Sequence, residues 1–212
     1  MSTDSSLLLP GYDESFFAPL RGTLTADEFE MVRKAYWHAE HGHKGQLRAN
    51  KRPYFEHPKA AAEIYIHELG GRDSRIIADI LLHDLLEDTD FISSSGLLIA
   101  FGSNTTLDVV SLTRLGSGEE TVSEYIQRII DRGLWAIAAK LCEHLHNMRT
   151  LNACDVAKRI RKRTESQNFH KPILVSALRT YGPPWESHAD YLDVEIGKAL
   201  DRVSLHEVSP SI

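Results

Sequence analysis

The chain has 212 residues, of which 42% are hydrophobic and 25% are charged, and its formal net charge is −6. This length and balance suit one soluble globular domain with a full core. The negative charge argues against a nucleic-acid-binding surface, and no apolar run is long enough to span a membrane. With only two cysteines and no basic signal-peptide start, we expect a cytoplasmic protein without a disulfide framework.

Amphipathic patterns predict helices in the first third of the chain. Thr25 and Glu28 have the spacing of a capping box, and the helix that they start is predicted to reach about His43. A polar loop with several basic residues follows. The next helix is predicted to begin at His57, whose following proline suits a first helical position, and to end at Gly70.

The remainder is also predicted to be helical, and alternating strand patterns are almost absent. Helices are expected at about 76–89, 97–101, 107–115, 122–131, 134–151, 156–163, 172–181 and 187–203. The glycine-containing turn 116–118 is the segment that we expect to be most mobile. We therefore expect an all-α protein in which residues 1–24 and 206–212 form tails and 25–205 form a single domain.

The stretch 76–89 joins an apolar helix to four ionisable side chains in its last turn and a half. These are His83, Asp84, Glu87 and Asp88. On a continuous helix their spacing places all four on one broad face. Three carboxylates beside one imidazole repel one another unless a cation lies among them, so the pattern favours a metal held by the first two residues. A solvated acidic helix end is the alternative, which the preceding apolar run disfavours.

Four motifs occur in order along the chain. They are HKGQLR at 43–48, PYFEHP at 53–58, HDLLEDT at 83–89 and KLCEHLHNMRTL at 140–151. Together they resemble the hydrolase domain of RelA/SpoT-type alarmone enzymes, a branch of the HD metal-dependent phosphohydrolases. The resemblance extends from about Ala26 to about Glu165, and it implies an all-α HD-domain helical bundle.

The resemblance also implies a divalent metal, usually manganese, held by two histidines and two carboxylates. Position by position, these ligands are His57, His83, Asp84 and Glu143. Glu143 departs from the family, which normally has aspartate there, although a side chain longer by one methylene can still reach an ion. Imidazole and carboxylate ligands also suit zinc or iron, so the donor set alone does not select the metal.

The resemblance assigns roles to five further residues. Glu87 and Asp88 match the acid/base pair that orients the attacking water and manages its protons. Arg48 would lie against the nucleotide base, because a planar cation suits a purine face. Asn147 and Thr150 would contact the nucleoside.

Three further positions bear on the resemblance. Ala49 stands where the family often carries a basic residue, and His144 stands where it usually has arginine. His146 matches a family histidine outside the ligand set, and we expect it to be structural.

The implied reaction converts ppGpp or pppGpp to GDP or GTP and pyrophosphate. Because the segment after Glu165 is too short for the synthetase domain of bifunctional relatives, we expect a stand-alone small alarmone hydrolase. An adenine-alarmone hydrolase or another HD nucleotide phosphohydrolase is one alternative, and a non-catalytic nucleotide-binding module is another. The Glu87–Asp88 pair argues against the binding module, which has no use for a general base.

Overall fold

The computed structural model describes residues 13–116 and 118–206. These ranges contain the α-helices α1 Glu14–Phe17, α2 Ala26–Gly42, α3 Glu56–Glu63, α4 Ser74–Leu82, α5 Leu85–Asp88, α6 Ser94–Leu112, α7 Val122–Arg132, α8 Leu134–Thr150, α9 Val156–Glu165, α10 Lys171–Arg179 and α11 Trp185–Asp201. Short 3₁₀ or π-helical turns are Ala18–Leu20, Ile64–Glu68, Leu151–Ala153 and Ser166–His170. The described ranges contain no β-strand, only an isolated bridge between Leu47 and Pro53. The prediction of an all-α fold is confirmed.

The start of α2 has the predicted capping box. The Thr25 side chain accepts a hydrogen bond from the Glu28 backbone N–H, and the Glu28 carboxylate accepts one from the Thr25 N–H. Two N–H groups that would otherwise lack partners at the helix start are thereby satisfied. The buried face of α2 then packs against α4.

Helix α4 forms the centre of the bundle. It packs against α2, α3, α6 and α8, and every residue from Ile76 to Leu82 is buried. Asp73 starts the helix by accepting hydrogen bonds from the backbone N–H groups of Arg75 and Ile76. A helix whose side chains are apolar on almost every face is stable only when neighbouring elements cover it. Its carboxyl end therefore delivers His83 to the interior of the protein.

The prediction of one continuous helix over 76–89 is wrong. Helix α4 ends at Leu82, residues 83 and 84 form a turn, and α5 is a separate single turn. The ring of His83 lies 2.6 Å from the carbonyl oxygen of Ile80, from Nδ1 to O, at the place where the regular hydrogen-bond ladder stops. Such a local contact competes with the helix for its last carbonyls.

The segment 13–24 was expected to belong to a tail, but the structure packs its first part into the core. Phe16, Phe17 and Leu20 are completely or almost completely buried, and both phenylalanine rings contact Tyr36 on α2. Asp13 also forms an ion pair with Lys59. Residues 1–12 and 207–212 of the predicted tails, and Ser117 of the predicted mobile turn, lie outside the described residues.

The C-terminal helices close the bundle. Helices α10 and α11 pack on each other and on α8. Arg149 at the end of α8 binds Glu68 at 2.6 Å and Glu195 of α11 at 3.0 Å. Among the helices of the described ranges, none combines the length and apolarity required to cross a membrane.

Candidate active site

The four predicted metal ligands come together from three parts of the fold. His57, His83 and Glu143 are buried, and each offers one ligand atom within 4.8 Å of the others. The Oδ2 atom of Asp84 lies 3.0 Å from Nε2 of His83 and 3.6 Å from Nε2 of His57. Atoms bound to one ion at about 2.1 Å stand roughly 3 to 4 Å apart, so the two Asp84 distances suit a shared ion.

The chemistry of these donors also fits a cation. Because the carbonyl of Ile80 can only accept, Nδ1 of His83 is the donor in their hydrogen bond. In the neutral ring, Nε2 then presents a lone pair 3.0 Å from a carboxylate oxygen of Asp84. Two lone pairs at this distance repel each other unless a proton or a metal ion lies between them. The residues present therefore fit a divalent transition metal.

His146 contacts the predicted metal ligand His57, a role that its position in the sequence did not reveal. Its Nδ1 lies 2.6 Å from Nδ1 of His57, and the two rings are 4.8 Å apart. A hydrogen bond at Nδ1 sets the orientation of His57 and leaves Nε2 for the ligand position.

Burial and charge set the protonation of the ligands. Burial lowers the pKa of His57 well below its usual range, so this imidazole is neutral. Burial alone would raise the pKa of Asp84, but His83, His57 and the Tyr54 hydroxyl outweigh it and the pKa is lowered. Burial opposes a proton on His83, but the charge and hydrogen bond of Asp84 prevail and raise its pKa, so a metal ion would displace a proton from this ring.

Glu143 is held by two neighbours on its own helix. Nζ of Lys140 lies 2.8 Å from Oε2, and Nδ2 of Asn147 donates to Oε1. Burial opposes ionisation of Glu143, but the charge of Lys140 prevails and lowers the pKa. Sequence reasoning assigned no role to Lys140, although its position three residues before Glu143 was a usable signal.

The predicted acid/base pair lies on α5 at the rim of the same cavity, and its two carboxylates face different partners. Oε2 of Glu87 accepts a hydrogen bond from the backbone N–H of Arg114 at 2.9 Å. Burial and the nearby carboxylates of Asp84 and Asp88 raise the pKa of Glu87, although the hydrogen bond from Arg114 by itself would lower it. The Tyr54 hydroxyl lies 2.5 Å from Oδ2 of Asp88 and 2.8 Å from Oδ2 of Asp84. Tyr54 therefore ties the acid pair to a ligand, a contact that sequence reasoning missed.

The three predicted nucleotide contacts line this cavity, whose volume is about 360 Å³. Nη2 of Arg48 donates to Oδ1 of Asn147 at 2.8 Å, across a sequence distance of 99 residues. The Thr150 hydroxyl donates to the His146 carbonyl at 3.0 Å. The structure therefore brings Arg48, Asn147 and Thr150 to the cavity that the ligands also line.

The cavity lining contains further basic side chains that sequence reasoning did not assign to the site. They are Arg114, Lys140, Lys158 and Lys162. Lys158 and Lys162 are one turn apart on α9, a segment for which the sequence predicted a helix but no site residue. His144 and His170 also line the cavity and stack in parallel at 4.8 Å, and burial lowers the pKa of His144 to about 4. The cavity thus combines positive charge with a neutral aromatic wall.

Known proteins are similar to this chain in sequence. The chain is 34% identical over 164 residues to a probable guanosine-3′,5′-bis(diphosphate) 3′-pyrophosphohydrolase of Synechocystis, across 74% of this chain. It is 32% identical over 149 residues to a GTP pyrophosphokinase of Streptomyces coelicolor, across 68% of this chain. The chain is a RelA/SpoT-type HD-domain protein.

The RelA/SpoT-type resemblance extends to the fold. A solved structure, described as a metazoan ortholog of SpoT that hydrolyses ppGpp, matches with a TM-score of 0.66 and 20% identity. The match covers 86% of this chain and 98% of that one, which confirms the predicted HD-domain bundle. The two sequence matches span only 21% and 17% of those relatives' own lengths. No protein-family model matches the chain.

Proposed function

We propose that this RelA/SpoT-type domain removes the 3′-pyrophosphate of guanosine alarmones, converting ppGpp or pppGpp to GDP or GTP and pyrophosphate. One observation carries the proposal: two imidazoles and two carboxylates converge beside an acid pair, at a cavity lined with basic side chains. The names of the Synechocystis relative and of the metazoan SpoT ortholog support the same activity.

His57, His83, Asp84 and Glu143 would hold a divalent ion, which we propose to be Mn²⁺. When bound, such an ion lowers the pKa of water and polarises a phosphoryl oxygen. The two carboxylates balance its charge, while the contacts of the imidazoles at Nδ1 keep both Nε2 atoms directed at the site.

The acid pair would manage the protons. Glu87 would accept a proton from the attacking water, because burial and neighbouring carboxylates raise the pKa of Glu87 and make it a better base. Asp88, held by Tyr54, would orient that water. The water oxygen bonds to phosphorus, the bond from phosphorus to the ribose 3′-oxygen breaks, and the 3′-oxygen takes up a proton as pyrophosphate leaves.

The cavity lining would bind the remainder of the nucleotide. Arg48 offers a planar cation to a purine face, and Asn147 and Thr150 offer polar atoms to the nucleoside. Because the chain as a whole carries a net charge of −6, a polyphosphate needs local positive charge to enter. Lys158 and Lys162 would supply that charge.

The location belongs to the same proposal. We place the protein in the cytoplasm, where alarmones would be met and where free thiols persist. Both cysteines are free, with Cys142 buried and Cys154 half-buried.

The test is product analysis with a nucleotide panel. Metal-stripped protein is incubated with ppGpp, pppGpp, ppApp and deoxynucleoside triphosphates, with and without Mn²⁺, and products are separated by anion-exchange chromatography. We expect GDP or GTP and pyrophosphate only when Mn²⁺ is present, and no product from the His83→Ala variant.

Other outcomes distinguish the alternatives. A tenfold or greater preference for ppApp in kcat/KM would reassign the base, which Arg48 by itself does not select because it suits either purine. Cleavage of deoxynucleotides alone would indicate another HD phosphohydrolase. Tight nucleotide binding without turnover would indicate a binding module.

A further inference from the structure

Four side chains form a continuous chain of polar contacts from the ligand set to the predicted base site. Lys140 lies against Oε2 of Glu143, Asn147 donates to Oε1 of Glu143, and Arg48 donates to Oδ1 of Asn147. We name this chain of contacts the amide bridge, after the Asn147 side chain at its centre. The proposed metal ligand and the proposed base contact thus share one amide group.

The orientation of the bridging amide follows from the charges at its ends. The carboxylate of Glu143 only accepts hydrogen bonds, and the guanidinium of Arg48 only donates them. If the Asn147 amide were turned over, its oxygen would face a carboxylate and its NH₂ would face a cation. The observed orientation therefore satisfies both ends, and the alternative satisfies neither.

The two ends of the bridge lie on different kinds of backbone. Lys140, Glu143 and Asn147 occupy successive turns of the buried helix α8, so their mutual spacing is rigid. Arg48 lies on the loop that follows α2, where its backbone N–H donates to the Arg52 carbonyl and its carbonyl accepts from the Lys51 N–H. A ligand that repositions Arg48 would change the contact at Oδ1 of Asn147.

The bridge also accounts for glutamate at position 143. A glutamate has one more rotatable bond than an aspartate, and ordering that bond costs conformational entropy. Lys140 and Asn147 hold one carboxylate oxygen each, so the longer side chain is already ordered.

We propose that Asn147 couples nucleoside binding at Arg48 to metal binding at Glu143, so that each ligand strengthens the other. Acceptance of a hydrogen bond from a cation polarises the amide and makes its NH₂ a stronger donor, which holds the Glu143 carboxylate more firmly in its ligand position. Coupling of this kind is reciprocal, because the two binding events share one free energy. The inference rests on the proposed function, since it takes the metal and nucleotide positions from it.

A double-mutant cycle on metal affinity tests the coupling without any nucleotide. Mn²⁺ binding is measured by calorimetry for the wild type, Arg48→Met, Asn147→Ala and the double variant. Removing the positive charge of Arg48 should favour Mn²⁺ binding equally with and without Asn147. This direct electrostatic effect therefore cancels when the changes in Kd caused by Arg48→Met in the two backgrounds are divided. The quantity compared is the factor by which Arg48→Met changes the Kd for Mn²⁺. We expect this factor to be about fivefold larger in the wild-type background than in the Asn147→Ala background, which is the lower range of such couplings.

Arg52→Met is the matched control. Arg52 belongs to the same loop but pairs with Glu56 at 2.6 Å, so its removal should change Mn²⁺ affinity by the same factor in both backgrounds. Asn147→Ser is a second background, used if Asn147→Ala is not folded by circular dichroism, since a serine hydroxyl is too short to span both partners. Equal effects of Arg48→Met in both backgrounds would overturn the inference.

The reciprocal arm uses guanosine, which has no phosphate to bind the ion directly. In the wild type, Mn²⁺ should tighten guanosine binding by the same factor by which guanosine tightens Mn²⁺ binding, and in Asn147→Ala this factor should vanish. A wild type that binds Mn²⁺ and hydrolyses ppGpp but shows no such factor would refute the coupling alone. A wild type that binds no Mn²⁺ would refute the proposed function as well.

Discussion

Adjacent acids on α5 have different surroundings, which is the clearest feature of the site at the scale of single residues. Glu87 accepts from the backbone of Arg114, whereas Asp88 faces the hydroxyl of Tyr54. The short helix Leu85–Asp88 turns the two carboxylates towards different partners. We infer that Glu87 exchanges the proton and that Asp88 positions the water.

Glu87→Gln should separate chemistry from binding. We expect kcat to fall by about 10²-fold or more, the usual size of a general acid/base contribution, while Mn²⁺ and nucleotide affinities stay within a few-fold of wild type. The measurements are steady-state kinetics and calorimetry. Asp90→Asn, which alters an exposed acid beyond the pair, is the control and should retain full kcat. Loss of metal from Glu87→Gln would instead make Glu87 a ligand.

At the scale of elements, a buried charge cluster joins α4, α6 and α7. Asp108 on α6 is fully buried and binds Nε of Arg75 at 2.6 Å and Nε of Arg132 at 2.7 Å. Asp79 on α4 is also fully buried. Burial, together with the adjacent Asp108 carboxylate, raises the pKa of Asp79 well above its usual range. Folding therefore favours the protonated form of Asp79.

Asp79 should make the folded state less stable as pH rises. Below the ordinary pKa of 3.8 both states hold the proton, and above it the unfolded state releases the proton first, which favours unfolding. Each unit by which the pKa of Asp79 is raised corresponds to about 1.4 kcal/mol. The melting temperature of Asp79→Asn relative to that of the wild type should therefore rise as the pH is raised from 4 towards 8. Calorimetric melting of both proteins at each pH measures this difference.

Asp108→Asn is the contrasting variant. The change removes the carboxylate that pairs with the guanidinium groups of Arg75 and Arg132. Asp108→Asn should therefore destabilise the protein across the whole pH range, by about 3 kcal/mol or more. An Asp79→Asn variant whose stability difference from wild type did not change with pH would contradict the protonated state of Asp79.

At the scale of the whole molecule, the C-terminal segment supports a wall of the cavity. The side chain of Asn152 donates to the carbonyl of Arg202 and accepts from the N–H of Ser204, both at 2.9 Å. Arg159 donates to the carbonyl of Ser204 at 2.8 Å. The turn Leu151–Ala153 lines the cavity, so residues about 50 positions later in the chain hold it in place.

Asn152→Ala should weaken substrate binding more than it slows the reaction. We expect KM to rise several-fold and kcat to stay within about twofold, because none of the proposed metal ligands belongs to the turn that the change alters. Kinetics with ppGpp give both constants, and the exposed Asn168→Ala is the control. Unchanged KM would show that the wall keeps its shape without the C-terminal contacts.

The helices were predictable because their signals are local. The capping residues Thr25 and Glu28 and the apolar spacing of α2 act within one or two turns of the chain. The break after Leu82 was not predictable in the same way, since apolar periodicity continues through it. It depends on a side-chain contact of His83 with its own helix and on the surroundings of that side chain.

The sequence by itself determined the all-α class and most helix positions, because hydrophobic periodicity and capping signals are local. Its motifs, through their resemblance to RelA/SpoT-type hydrolases, named the residues that converge in the candidate site. Only the tertiary structure decided what surrounds those residues. The pairing of Arg48 with Asn147, the contact of Tyr54 with two carboxylates and the support of Asn152 join positions 30 to 99 residues apart. Such contacts depend on how helices pack, and helix packing depends on the summed burial of many side chains rather than on any local pattern.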